Sequence, residues 1–218
     1  MSTADGPELL ARGPWTAEQV RVRWLEDHYA PEPDIVAEAD RRIAALRDRG
    51  SPSHDGLAVR LDHHALTDDG ALELTLQPLR WALRLVEGDA SGSIAALCVT
   101  RDADGRWLAG RRSPWVASWA GRWALGAGGA VDTGESPFDT LARELREEWS
   151  VEPERVQAEA LVRLPNGAVM FVGQAWLPAG AEVTMDHEHD AHAWWPPEID
   201  AWPDEADAPL RLMARLLA

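Results

Sequence analysis

Gly129-Ala-Val-Asp-Thr-Gly-Glu-Ser-Pro-Phe-Asp-Thr-Leu-Ala-Arg-Glu-Leu-Arg-Glu-Glu-Trp-Ser-Val151 is the stretch from which the fold is read. Ser136 suits a helix N-cap, Pro137 the first helical position, and Asp139 completes a capping box. The pattern predicts a helix over 137–149. Phe138, Leu141, Ala142, Leu145 and Trp149 recur at helical spacing and form its buried stripe. Glu144, Glu147 and Glu148, three and four residues apart, share the other side. Three carboxylates so close repel one another, and a hard cation turns that cost into a binding site. Oxygen ligands of this kind suit Mg²⁺ or Mn²⁺. Arg143, four residues before Glu147, is placed to pair with it and orient it.

The spacing also resembles the signature of the Nudix hydrolases: Gly, five residues, Glu, seven residues, Arg-Glu, an aliphatic, any residue, Glu-Glu, any residue, Gly, an aliphatic. Gly129, Glu135, Arg143, Glu144, Leu145, Glu147, Glu148 and Val151 fall in register, eight of nine positions over 23 residues, which makes a chance match a poor explanation. Ser150 stands where the family has Gly. Since Gly ends helices in the left-handed conformation at little cost, Ser150 is expected to weaken the helix end. Trp123-Ala-Leu-Gly-Ala-Gly-Gly-Ala-Val131 resembles the strand and glycine turn that lead into the signature, with Ala127 where Pro is common.

The resemblance covers about residues 90–218 and implies an α/β/α sandwich with a mixed sheet. It implies that Glu144, Glu147, Glu148 and the Gly128 carbonyl hold one or more Mg²⁺ (or Mn²⁺) ions. Glu135 and Arg143 brace those ligands, and Gly129 is structural. The implied chemistry is hydrolysis of a nucleoside diphosphate linked to another moiety: a nucleotide sugar, a dinucleotide or an NTP. The base is Glu144 or a glutamate on a later loop, and Glu188 in Asp186-His-Glu-His-Asp190 lies at a suitable place. A non-catalytic nucleotide-binding or regulatory module is the alternative, although such domains usually lose signature glutamates. An isopentenyl-diphosphate isomerase shares the fold but is expected to carry a Cys near the glycine turn, which Leu125–Gly129 lacks.

Outward from the signature, Ser93–Thr100 and Arg106–Gly110 read as strands joined by a turn at 102–105. Val156–Arg163 and Ala168–Trp176 flank Pro165-Asn-Gly167, a hairpin signal. Ala191–Trp195 is one more strand, and Asp207 caps a last helix whose Leu210, Met213 and Leu217 face the core. The order of strands and helices gives an α/β (α+β) fold. Upstream, Thr16-Ala-Glu-Gln19 is a capping-box pattern that predicts a helix over about 17–29. A second helix runs from Pro33 to Arg49, stopped by Gly50. Leu57–Asp62 and Ala71–Gln77 alternate as strands. Arg80–Glu87 reads as a short helix, and Gly88–Gly92 as a linker. The expected organisation is an extension over 1–90, two helices and a strand pair, followed by a Nudix domain over 91–218. The extension resembles one found in a Nudix branch acting on UDP-sugars, and a homodimer interface or a substrate lid are candidate roles for it.

The chain has 218 residues, 37 acids, 21 bases and a net charge of −16, and every base is Arg. It lacks the basic footprint of a nucleic-acid binder and is repelled by anionic membranes. Cys98, the single cysteine, rules out an internal disulfide and reads as a small core residue. Neither a signal peptide nor a membrane-spanning apolar run is read, so a cytoplasmic location is expected. The composition resembles that of GC-rich bacteria. The acidity is not uniform: residues 182–207 hold nine acids and no base, whereas 101–122 carry net +3. Arg111 or Arg112 in that basic stretch is placed to meet a substrate phosphate. The stretch from 115 to 123 holds three of the twelve Trp, at 115, 119 and 123. Each could stack on a base, and packing is the commoner use. His63, His64, His187, His189 and His192 lack zinc-ligand spacing and read as loop histidines.

Overall fold

The computed structural model describes residues 6–50, 55–86, 92–116 and 118–217. Its elements are β1 (Glu8–Trp15), β2 (Val20–Trp24), α1 (Pro33–Asp48), β3 (Leu57–Leu66), β4 (Leu72–Arg80), β5 (Ile94–Arg101), β6 (Trp107–Arg112), β7 (Trp123–Leu125), β8 (Ala127–Ala130), α2 (Pro137–Trp149), β9 (Arg155–Arg163), β10 (Val169–Trp176), β11 (His189–Trp195) and α3 (Ala208–Leu217). The main sheet has the order β1-β9-β10-β5-β6-β11, with β8 also paired to β5 and β7 to β6. It is mixed: β10 and β5 run parallel, and the other pairs are antiparallel. A smaller sheet has the order β2-β4-β3.

Strand side chains alternate between two faces, and that alternation builds the layers. Cys98, Leu108 and Phe171 point to the face covered by α2, where Leu141, Leu145 and Trp149 meet them. Their chain neighbours Val99, Trp107, Ala109 and Val172 point the other way, to Trp202, Leu210, Ala214 and Leu217. The result is the expected α/β/α sandwich. Trp149 is fully buried and donates its indole N–H to the Gly126 carbonyl at 3.0 Å. Truncating such a residue costs about 3–5 kcal/mol. Gly126 lies at the corner between β7 and β8 with φ +63°, and a Cβ there would lie 1.8 Å from the Cys98 carbonyl oxygen. Only glycine fits that corner.

The 137–149 helix, the 156–163/168–176 hairpin and the last helix stand where the sequence places them. Asp207 accepts from the Leu210 N–H at 3.0 Å, as an N-cap should, and Met213 is partly buried. The helix expected over 17–29 is absent. Gln19 does accept the Thr16 N–H at 3.0 Å, but the helix is a single 3₁₀ turn, Ala17–Gln19, and the chain continues as β2. Val20-Arg-Val-Arg-Trp24 alternates with period two, and pairing with β4 overrides the cap signal. The sequence reading also omits β1, so the N-terminal region holds one α-helix rather than two. Arg80–Glu87 contains a 3₁₀ turn, Trp81–Leu85. The linker read at Gly88–Gly92 lies outside the described residues except for Gly92.

The N-terminal elements do not stand apart. β1 adds to the main sheet beside β9. Val59, Leu61, Leu72, Leu74 and Leu76 of the small sheet belong to the same buried cluster as Cys98, Leu141 and Trp149. α1 packs Ala39, Ile43 and Leu46 on Ala58, Leu79 and Leu83. No helix among the described residues is long and apolar enough to cross a membrane.

Candidate active site

The acidic side of α2 faces β8. Glu148 is buried, and its Oε1 accepts the Gly128 N–H at 3.1 Å. Glu144 is buried against Gly129, where an added Cβ would lie 2.1 Å from its Oε1. The missing side chain at 129 is thus the space this carboxylate fills. Glu147 points outward, with 59% of its side chain exposed. Arg143 ties the group together. Its guanidinium donates to Glu135 Oε1 at 2.9 Å, Glu144 Oε1 at 2.7 Å, Glu147 Oε2 at 3.0 Å and the Ala130 carbonyl at 2.9 Å. Thr140 donates to Glu135 at 2.7 Å.

Burial pushes the Glu144 carboxyl up to about 7, against the pull of Arg143, with Glu147 and Glu188 adding to the rise. Burial also raises Glu148 well above the usual carboxylate range, although Arg112 and the Gly128 N–H pull it down. Glu135 is also penalised by burial, but Arg143 and Thr140 hold it below its ordinary value. The three acids therefore differ: Arg143 and Thr140 outweigh burial at Glu135, whereas burial outweighs the partners of Glu144 and Glu148.

Opposite α2 stands the start of β11. Arg112 lies 2.9 Å from Glu188 Oε2 and 3.9 Å from Glu148 Oε1, which brings Glu188 to the signature acids. Arg111 instead pairs with Asp190 at 2.6 Å. Both arginines expected to meet phosphate are therefore held by carboxylates of this chain. The Asp186 and Thr184 N–H groups donate to the Glu148 and Trp149 carbonyls at 2.9 Å each, fixing the loop to the end of α2. That end is closed by Ser150 itself in the left-handed conformation, φ 53°, donating its N–H to the Arg146 carbonyl. The helix terminates without glycine.

The loop assignment of the histidines needs correction for four of them. His189 is buried at the start of β11, its ring 4.7 Å from Trp149 and its Nε2 3.8 Å from Glu148 Oε2. His192 also lies on β11, and His63 and His64 lie on β3. Burial lowers the His189 imidazole, and Arg112 adds to this, so it stays neutral beside Glu148. An irregularity in β11 between His189 and Ala191 shifts the alternation, so that His189 and His192 both meet Trp149 on the α2 side while Trp195 turns to the opposite face. Trp123 packs on Trp195. Trp115 and Trp119 remain exposed, the former stacked on His187 at 5.2 Å.

Among the described residues, no three His, Cys, Asp or Glu side chains are already gathered as metal ligands. Arg143 occupies the middle of the acids instead. The donor chemistry nevertheless fits a hard divalent ion. All donors are oxygens, burial outweighs the cationic and hydrogen-bond partners of Glu144 and Glu148, and Gly129 leaves room for Glu144.

Sandwich, glycine turn and acidic helix together define a Nudix-type fold. The NUDIX domain model matches residues 93–216, more than half the chain. The chain belongs to the Nudix family, and its class is that of a hydrolase. Similar solved structures include a MutT Nudix hydrolase from Burkholderia pseudomallei (24% identity, 58% of this chain and 98% of that one, TM-score 0.47). Another is the Nudix domain of Shewanella oneidensis NrtR complexed with ADP-ribose (22%, 62% and 96%, TM-score 0.45). A third is a C. elegans Ap4A hydrolase (21%, 56% and 92%, TM-score 0.45). No curated protein matches the chain.

Proposed function

We propose that the chain is a Mg²⁺-dependent (or Mn²⁺-dependent) diphosphatase that cleaves a nucleoside diphosphate linked to another moiety. The observation that carries this reading is the pair of buried carboxylates, Glu144 and Glu148, set against the Gly128–Gly129 turn. Glu144, Glu147, Glu148 and the Gly128 carbonyl would hold the ion, with Glu147 turning in from its exposed position. The bound ion would neutralise diphosphate charge and make water a better nucleophile. Arg143, itself anchored by Glu135, holds Glu144 and Glu147 in place. Arg112 orients Glu188, which is exposed enough to take a proton from the attacking water; Glu144 is the other candidate base. Trp115 offers an exposed aromatic surface one residue from this carboxylate pair, through His187. Residues 1–90 serve 91–218 as an extension that shares its core.

A second reading, a nucleotide-binding module without turnover, draws on one observation: Arg143 already neutralises the centre of the acid cluster. A panel of nucleotide sugars, dinucleotides and NTPs, assayed with Mg²⁺ and Mn²⁺, separates the two. Metal-dependent release of a phosphorylated product, lost in Glu148→Gln, is the expected result. No hydrolysis across the panel, or full turnover by Glu148→Gln, would overturn the first reading.

A further inference from the structure

One buried neighbour of Glu148 has no part in the chemistry above. His189 opens β11 with 1% of its side chain exposed. A slot holds its ring. One wall is Trp149, with ring centroids 4.7 Å apart. Gly110 makes the other, since a Cβ there would lie 2.5 Å from His189 Cδ2 and 2.9 Å from its Nε2. Both ring nitrogens face carboxylates. Nδ1 is 3.4 Å from Asp186 Oδ1, and Nε2 is 3.8 Å from Glu148 Oε2. Asp186 is itself fixed: its N–H donates to the Glu148 carbonyl, and its Oδ1 accepts the Glu188 N–H at 2.9 Å. Glu148 is fixed at its other oxygen, Oε1, which accepts the Gly128 N–H.

The protons do not suffice for both contacts. A ring this far from water, paired in register with Arg112, is neutral and carries a single N–H. An ionised carboxylate only accepts, so the proton belongs on Nδ1, toward the closer Asp186. Nε2 then aims a bare lone pair at Glu148 Oε2. Among the described residues, no hydrogen bond reaches either atom. Two facing acceptors are stable together only with something positive between them. The 3.8 Å gap is too long for a shared proton, because hydrogen bonds of this kind span about 2.7–3.2 Å. A shared ion fits: two donors each about 2.1 Å from one divalent ion stand as far as about 4.2 Å apart. Metal-binding histidines typically give the other ring N–H to a carboxylate, as His189 does to Asp186.

We propose that His189 is a nitrogen ligand of the metal site, its Nε2 joining Glu148 Oε2 on one divalent ion while Asp186 orients the ring. This rests on the reading of the site as a metal-dependent diphosphatase, and it adds imidazole to donors that are otherwise oxygens. Imidazole tilts such a set away from Mg²⁺. The test uses the full chain with Mn²⁺ alone, because the Mn²⁺ electron spin reports a directly bonded nitrogen. Spin-echo modulation is recorded for the wild type, with ordinary and with ¹⁵N-labelled histidine, and for His189→Gln, His187→Ala and His192→Ala. Mn²⁺ affinity is titrated for each of these and for Glu144→Gln.

The wild type should show the coupling of a bonded imidazole nitrogen, altered by the ¹⁵N label. His189→Gln should lose that coupling and bind Mn²⁺ at least about tenfold more weakly, the lower end of what losing even a ligand's support costs. His187→Ala and His192→Ala should keep the coupling. If His189→Gln binds no Mn²⁺ at all, survival of the coupling in the other two variants still assigns it to His189. Bound Mn²⁺ without histidine nitrogen, coupling that persists in His189→Gln, or its loss in His187→Ala or His192→Ala would overturn the proposal and leave the acid site standing. Mn²⁺ binding that is absent, or undiminished by Glu144→Gln, removes the underlying reading and this proposal with it.

Discussion

At the scale of single residues, the site depends on a carboxylate occupying a glycine's empty side. A methyl group at 129 would strike the Glu144 carboxyl at 2.1 Å, and that carboxyl is the mobile end of its side chain. Gly129→Ala should therefore keep the fold yet lower Mn²⁺ affinity by about tenfold or more, as displaced supports of ligands do. A metal titration checks it. The same carboxylates set a pH dependence. Glu144 is raised from 4.5 to about 7 in the fold, so the folded state holds a proton that the unfolded chain has released between those values. Stability without metal should be fullest below about pH 4.5 and fall as pH rises through 7. Urea unfolding in chelator from pH 5 to 8 measures this; rising stability across that window would contradict it. The signature acids were legible because they recur at helical spacing behind a cap. The buried His189 and the Arg112–Glu188 contact were not, because each meets α2 only after strands far apart in sequence have paired.

Among the elements, α2 shows what local signals achieve and where they stop. Its start is fixed by Ser136, whose Oγ accepts the Phe138 N–H at 3.2 Å. Its end is fixed by Ser150 at φ 53°, where an L side chain is strained. Ser150→Gly should stabilise the protein by about 0.5–1 kcal/mol, and raise the melting midpoint by about 1–4 °C in a chain of this size. Calorimetry at fixed scan rate checks the sign. The bounds of α2, β9, β10 and α3 were legible nearly residue for residue because each carries its own cap or turn. The sequence reading failed over 8–24. A true capping interaction at Thr16 outweighed the two-residue alternation of Val20–Trp24, while Gly13 and Pro14 disguised β1. Both strands owe their existence to partners, β4 and β9, that no local window contains.

On the scale of the whole molecule, the N-terminal region and the Nudix region share one buried cluster. Trp15 is buried at the edge of the main sheet and donates its indole N–H to the Gly70 carbonyl at 3.1 Å. A chain starting at residue 91 would expose β9 as a bare edge and uncover the apolar face that Leu72, Leu74 and Leu76 now fill. Such a truncation should be insoluble or lack a cooperative unfolding transition; a soluble 91–218 fragment with the melting midpoint of the full chain would show the sharing to be dispensable. The pairing of β1 with β9 also fixes a sequence of events. Glu8 finds its partner in Arg163, so β1 is synthesised well before the strand it pairs with. During synthesis, Leu9 to Trp15 lacks its partner, and this side of the sheet closes only once β9 has been made. Contacts this distant make folding slow, and a chaperone's hold on that first strand would set how much of the chain matures.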